Sequence, residues 1–350
     1  MAALPRRIAQ PLLALLAATA GSALPLPLPL ALSPQPVQAG PAAAQRQAPR
    51  GLNPEQQRVA NASLQAVRAD MDGFIARYLN LVTTVRDAGG KVIRPGTSDL
   101  AAAMARGPLL ISPDDAKELF GDYAADQRSR SRYSDAVHKA SGLIIDALWP
   151  RALAQPSPMS RNTVLLVGGG VASGKTTAMR SNAAVQALMA QVALVRESTL
   201  ANPTRAAAHI AQARSAGRPV EVLYVFAPIE VAVQRLVDRG MRQGRAVPAT
   251  AVARSHWQSQ QTVLDLAARY RQDRGVRFHV LLSGTGQPPD LQPIAVLQQR
   301  RWSADARFVD QDSFHRYVQQ LVHAELERRR LDAAPEDPSP DLRQKLNSQP

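Results

Sequence analysis

Apolar and polar positions alternate between two periods along the chain, and the change falls near residue 160. Before it the pattern is helical. Asn53 caps and Pro54 opens a run predicted to stay helical to about Asp87, where Gly89-Gly90 stops it. Short helices follow, one of them started by Ser112-Pro113-Asp114-Asp115. A longer amphipathic helix is predicted from Tyr133 to about Ala154, with Val137, Leu143, Ile144, Ala147 and Leu148 on its apolar side. From Thr163 the reading becomes strand Thr163–Val167, a glycine-rich loop, a helix to about Met189, strand Val192–Val195, a helix from Pro203 behind Asn202, and strand Val220–Phe226. Helices Ile229–Arg239 and Ala251–Tyr270, strand Arg277–Leu282 and a helix capped by Ser313 and ending near Arg330 complete the pattern.

That βαβαβ order predicts an α/β fold: a parallel sheet covered by helices, of the P-loop NTPase or kinase type, preceded by a helical region. The expected organisation is a signal peptide over 1–39, a disordered linker over 40–52, the helical region over 53–158, the P-loop domain over 159–331 and a disordered tail over 332–350. The leader reading rests on Arg6-Arg7, an apolar stretch from Ile8 to about Leu24, and Val37-Gln38-Ala39 before Gly40. Its apolar part is short and ends in prolines, which disfavours stable membrane insertion. The expectation is an exported protein, periplasmic or secreted, if that leader is read, and a cytoplasmic one otherwise.

The loop supplies the chemistry. Gly169, Gly170, Val171, Ala172, Ser173, Gly174, Lys175, Thr176 and Thr177 contain the G-x-x-x-x-G-K-[ST] pattern between a strand and a helix, where backbone N–H groups and a helix start can cradle phosphates. Lys175 is expected to reach the β and γ phosphates of ATP, and Thr176 to ligate Mg²⁺. The chain uses only five lysines among 42 basic residues, and one of them stands here, where a compact point charge suits phosphate. No N-K-x-D run points to a GTPase, and no L-S-G-G-Q run to a transporter ATPase.

Composition narrows the partners. Net charge is +14, yet the arginines are spread along the chain and aromatics make up 4%, so a nucleic-acid partner is the less favoured reading. The absence of cysteine removes disulfides, thiolate metal sites and a cysteine nucleophile. Two constellations accompany the loop. Glu197 stands just past a strand end, where parallel-sheet folds place catalytic groups, and is followed by Ser198 and Thr199. Arg235, Arg239, Arg242 and Arg245 cluster at and after one helix and can close over transferring phosphates as a lid. Tyr133, His138 and His256 read more readily as packing residues than as ligands.

These residues in this order resemble the zeta-toxin group of P-loop kinases, over about Leu119 to Leu282. The resemblance is carried by Tyr133-Ser134-Asp135-Ala136-Val137-His138, Gly169 to Thr176, Glu197-Ser198-Thr199-Leu200, Pro228 to Arg235, and Gly244-Arg245-Ala246-Val247-Pro248. It implies an ATP-dependent kinase that phosphorylates the sugar of UDP-N-acetylglucosamine. It also implies Lys175 and Thr176 at ATP and Mg²⁺, Glu197 and Thr199 at the nucleotide-sugar acceptor, and Arg245 with Arg235 or Arg239 on the phosphates. An antitoxin or immunity protein would be the partner. One departure stands out: the family's aspartate-bearing strand between the loop and the Glu197 strand has no counterpart, since Thr177 to Arg196 holds no acid. Either Glu197 acts as the base or the chain is catalytically weak. The alternatives are a polynucleotide kinase, which would show salt-dependent oligonucleotide binding, and a degenerate ATP-binding effector, which would bind ATP without turnover.

Overall fold

The computed structural model describes residues 51–245, 247–284, 290–332 and Leu346. The leader expected over 1–39, nearly all of the linker and nearly all of the tail lie outside the described residues, as does Ala246. The elements before the loop are α1 (Pro54–Ala69), α2 (Met71–Thr83), β1 (Val85–Arg86), β2 (Val92–Arg94), α3 (Leu100–Ala105), β3 (Leu109–Ile111), α4 (Pro113–Lys117), α5 (Gly121–Ala124), α6 (Gln127–Tyr133) and α7 (His138–Ala154). After them come β4 (Thr163–Gly168), α8 (Lys175–Ser181), α9 (Ala183–Met189), β5 (Val192–Glu197), α10 (Pro203–Ser215) and β6 (Val220–Phe226). The chain continues with α11 (Ile229–Gln243), α12 (Ala249–Arg269), β7 (Val276–Leu282), β8 (Leu291–Pro293), α13 (Ala295–Gln298) and α14 (Gln311–Asp332).

Two expected helices are interrupted, each at a polar residue that serves two helices. Asp70 closes α1 and caps α2 by accepting from the Gly73 N–H, which splits the single helix expected from Pro54 to Asp87. Asn182 does the same between α8 and α9. The helix expected from Tyr133 begins instead at His138, after α6 and a turn. At α14 the cap is Asp310, whose carboxylate accepts the Ser313 N–H at 2.7 Å, so Ser313 sits inside the first turn rather than before it. Asn53 and Asn202 cap α1 and α10 as their sequence context predicts.

Strand order in the main sheet is β3-β5-β4-β6-β7-β8, parallel throughout except for the antiparallel edge strand β8. The fold is thus the α/β P-loop type, with two departures from expectation. An antiparallel strand closes one edge, and the region before the loop is not purely helical. β3 comes from that region and pairs in parallel with β5, Leu109 opposite Leu194 and Ile111 opposite Arg196. Residues before and after the loop therefore share one sheet.

Both faces of the sheet are covered, as parallel strands require. Val164 and Leu166 of β4 join a large cluster with α7, α10, α11, α12 and α14, while Leu165 and Val167 join a smaller one with Ala178, Met179 and Val185 of α8 and α9. The period-2 alternation of β5 also separates Arg196 from Glu197. Arg196 is buried, donates to Asp146 at 2.7 Å and lies over the Trp149 ring. The chain passes from β4 to β5 on one side and then to β6 on the other, so the order reverses at β4, the strand that carries the loop. The crevice at such a point is where open α/β sheets bind ligands.

Tyr78 of α2 secures the end of β3. Its buried hydroxyl donates to Leu110 O at 3.0 Å and accepts the Ser112 N–H at 2.9 Å. Tyr78→Phe leaves that buried N–H without a partner and is expected to cost about 1–3 kcal/mol. Urea unfolding measures it; an unchanged midpoint and slope would show that the bond contributes nothing.

Candidate active site

The loop leaves β4 at Gly168 and enters α8 at Lys175, with Gly174 at φ 97° as the turn into the helix. Its inner wall is fixed from α12. The Val171 N–H donates to Ser255 Oγ at 3.0 Å, and Val171 O meets His256 Nε2 at 2.8 Å. A Cβ on Gly170 would run into the His256 ring, so glycine is required there by close approach. Val171 was expected to turn its N–H toward phosphate; in the structure that group anchors the loop instead. From the other side Arg235 donates to Ser173 O at 3.2 Å and to Ser283 Oγ at 3.0 Å. Lys175 Nζ folds across the loop to Gly169 O and Gly170 O, both at 3.1 Å, while Thr176 and Thr177 are exposed at the opening of α8. The Ser173 hydroxyl is buried, with no hydrogen-bond partner among the described residues.

The loop opens into a cavity of about 2250 Å³. Single small-molecule sites usually measure about 300–1,000 Å³, so this one has room for two nucleotide-sized molecules. Among the described residues ten Lys and Arg side chains and five carboxylates line it, a wall suited to polyphosphates. Glu197 enters from the end of β5, and burial pushes its carboxyl pKa up against the opposing pull of Lys175. Burial likewise lowers the Lys175 ammonium, with Glu197 and Asp114 resisting. Thr199 lies beside it, its carbonyl accepting the Gly169 N–H at 3.3 Å, so the Glu197-Ser198-Thr199 turn is tied to the loop.

The arginines converge from α11 and the segment after it. Arg239 is half-buried, donates from Nε to Arg245 O at 3.3 Å, and lies in the field of Asp114 and Glu197. Arg245 is held by Glu118 at 2.8 Å, and Arg130 grips the other oxygen of Glu118 at 2.9 Å. Gly244 makes this possible: it ends α11 in the left-handed conformation, φ 67°, and any Cβ would strike the Gln127 carbonyl. All four cluster residues line the cavity, and Arg235 also braces the loop.

Residues 181–280 match the family model described as zeta toxin. The matched segment includes Glu197, Arg235, Arg239 and Arg245 and ends within β7; the phosphate loop precedes it. Solved structures with a similar fold include the PezAT chromosomal toxin–antitoxin system of Streptococcus pneumoniae, at 10% identity over 74% of this chain and 97% of that one, TM-score 0.40. The AvrRxo1-ORF1:AvrRxo1-ORF2 complex with sulphate ions is 14% identical over 58% of this chain and 85% of its own, TM-score 0.37. Its form with ATP is 14% identical over 58% and 84%, TM-score 0.35. A search of curated proteins gave no significant match.

The cavity also draws on residues that sequence reasoning passed over. Asp114 and Asp115 line the cavity from α4, and Lys117 pairs with Asp114 at 3.0 Å and with Ser134 Oγ at 3.3 Å. Ser112-Pro113-Asp114-Asp115 was legible only as a helix start, although the Ser112 side chain makes no cap bond. Glu118, Ser134, Asp135 and His138 belong to the same neighbourhood. His138 and Tyr133 were expected to pack: Tyr133 bonds Glu55, while His138 reaches the cavity, its pKa lowered by burial.

His256 carries a pH prediction. Burial pushes its pKa from 6.5 down to about 4, so the unfolded chain binds a proton that the folded chain refuses between those values. The stability carried by neutral His256 is therefore complete above pH 6.5 and is lost as pH falls toward 4, by on the order of 3 kcal/mol. His209, pushed down to about 3, acts in the same direction. Melting temperatures are expected to drop between pH 7 and 4.5, and less steeply in His256→Asn; equal slopes would remove His256 as a cause.

Proposed function

We propose that the chain is a kinase that transfers the γ-phosphoryl group of ATP to a hydroxyl of a nucleotide sugar. The observation that carries this reading is a single cavity lined both by the phosphate loop and by Ser134, Asp135, His138 and Asn202 across from it, with room for donor and acceptor together. Lys175 and the first-turn amides of α8 suit the β and γ phosphates. Arg239 and Arg245 suit the charge that develops on the transferring group. The cavity has further cations in Lys117, Arg132 and Arg205, which favour an acceptor that is itself anionic, such as a sugar diphosphate nucleotide.

Mg²⁺ fits the same arrangement. The exposed Thr176 hydroxyl is a hard oxygen donor at the loop, of the kind Mg²⁺ takes beside phosphate and water. When bound, Mg²⁺ would offset charge on the β and γ oxygens. Among the described residues no helix is long and apolar enough to cross a membrane.

Purified chain incubated with ATP, Mg²⁺ and a nucleotide-sugar mixture should yield ADP and one phosphorylated nucleotide sugar by mass spectrometry. ADP without any phosphorylated sugar would refute the acceptor class. Phosphorylated oligonucleotide instead would move the reading to nucleic-acid ends. The antitoxin or immunity protein that the resemblance implies would act here by covering this cavity. Co-expression with a candidate antitoxin should give a stable complex with blocked ATP binding, and separate elution would count against that partner.

A further inference from the structure

Ile111 pairs with Arg196, so the chain leaves β3 at the carboxyl edge of the sheet, next to the point where Glu197 ends β5. The Tyr78 bonds to Leu110 O and the Ser112 N–H fix that exit. The two carboxylates that follow differ in what they face. The Asp115 side chain makes no hydrogen bond or ion pair among the described residues; its charge acts on Tyr78 and Glu197, and Arg245 and Arg180 act on it. Asp114 is the one whose charge acts on the phosphate-loop Lys175, and it is flanked by Lys117, Arg239 and Arg245. Its side chain is 62% exposed, open to the cavity rather than sealed behind it.

We propose that Asp114 is the group that accepts the proton of the attacking hydroxyl, an assignment that rests on the kinase reading above. The acceptor oxygen forms a bond to the γ phosphorus, and the bond from that phosphorus to the β–γ bridging oxygen breaks. ADP leaves with the electron pair, and the hydroxyl proton passes to the Asp114 carboxylate and then to water. Lys117, at 3.0 Å from Asp114 and 3.3 Å from Ser134 Oγ, sets the carboxylate's direction from behind. It also holds the Asp114 carboxyl well below the usual carboxylate range, so the group is an ionised acceptor at neutral pH. Glu197 ends β5 half-buried, whereas the Asp114 side chain is open to the cavity. The acid missing after Thr177 is supplied from 61 residues before Lys175, through a strand that reaches the sheet edge from the other side of the loop.

The test uses the full chain and its Asp114→Asn variant in two measurements. In ATP titrations without Mg²⁺ the variant should bind more tightly, because a negative charge facing the phosphate cations is gone, and retained binding also shows that it folds. With ATP, Mg²⁺ and UDP-N-acetylglucosamine its transfer rate should fall by about 10²–10⁴, the usual worth of a positioned base. Unchanged or weaker ATP binding overturns the placement, and a rate within about tenfold of wild type overturns the role. A wild type that binds ATP but phosphorylates no nucleotide sugar overturns the kinase reading itself, an outcome distinct from an active wild type with an active variant.

Discussion

Lys175→Ala is expected to abolish measurable ATP binding. The ammonium lies at 3.1 Å from two loop carbonyls, among Glu197 and Asp114, and is the only cation that reaches across the loop from within it. Its removal leaves those two carboxylates uncompensated where the phosphates must sit, so attraction becomes repulsion. Losing one partner of a desolvated charge pair costs about 2–5 kcal/mol, which corresponds to roughly thirtyfold to several thousandfold in Kd. Lys175→Arg should recover little, because a planar fork cannot enter a loop shaped for one compact head. Calorimetric titration with ATP decides it: a Kd within about threefold of wild type would remove the loop from phosphate binding.

Arg239→Ala should fall mainly on the chemical step. Arg239 stands between the acids at the carboxyl edge of β3 and β5 and the lid segment, bonded to Arg245 O at 3.3 Å. An arginine that stabilises charge on a transferring phosphoryl group is worth about 10³–10⁵ in turnover. The transfer rate should drop by about 10³ or more, while ATP affinity changes by less than about tenfold, since Lys175 and the α8 amides remain. Comparable losses in both quantities would assign Arg239 to ground-state binding.

The parts of the site legible in the sequence are those whose geometry is set within a few consecutive residues. The phosphate loop is one continuous run between a strand and a helix, and Glu197 stands two residues past the apolar run Val192–Val195 that reads as a strand. Asn53 and Asn202 announce their helices by side chains that reach three residues ahead. Other parts depended on partners far along the chain. β3 has three residues, too few to show a period, and its partner β5 lies more than 80 residues later. Asp70 and Asn182 looked compatible with continuous helices because a polar residue that closes one helix and caps the next leaves no mark on hydrophobic periodicity.

The lid shows the same division. Gly244-Arg245 was recognisable as a turn carrying a cation, but the Arg245 partner, Glu118, is brought in by tertiary contact across 127 positions, and Arg130 completes the grip. Val171 belongs to the loop motif, yet its peptide groups go to Ser255 and His256, which helix α12 delivers from 84 and 85 residues away.

By itself the sequence determined that this chain builds a phosphate loop on a parallel α/β sheet, because turn, helix start and buried strand are local consequences of residue type. Only the tertiary structure decided where the acid comes from. Parallel pairing joins strands without regard to their order in the chain, so β3 could enter the sheet from before the loop and bring Asp114 to Lys175, a juxtaposition that no spacing in the sequence expresses.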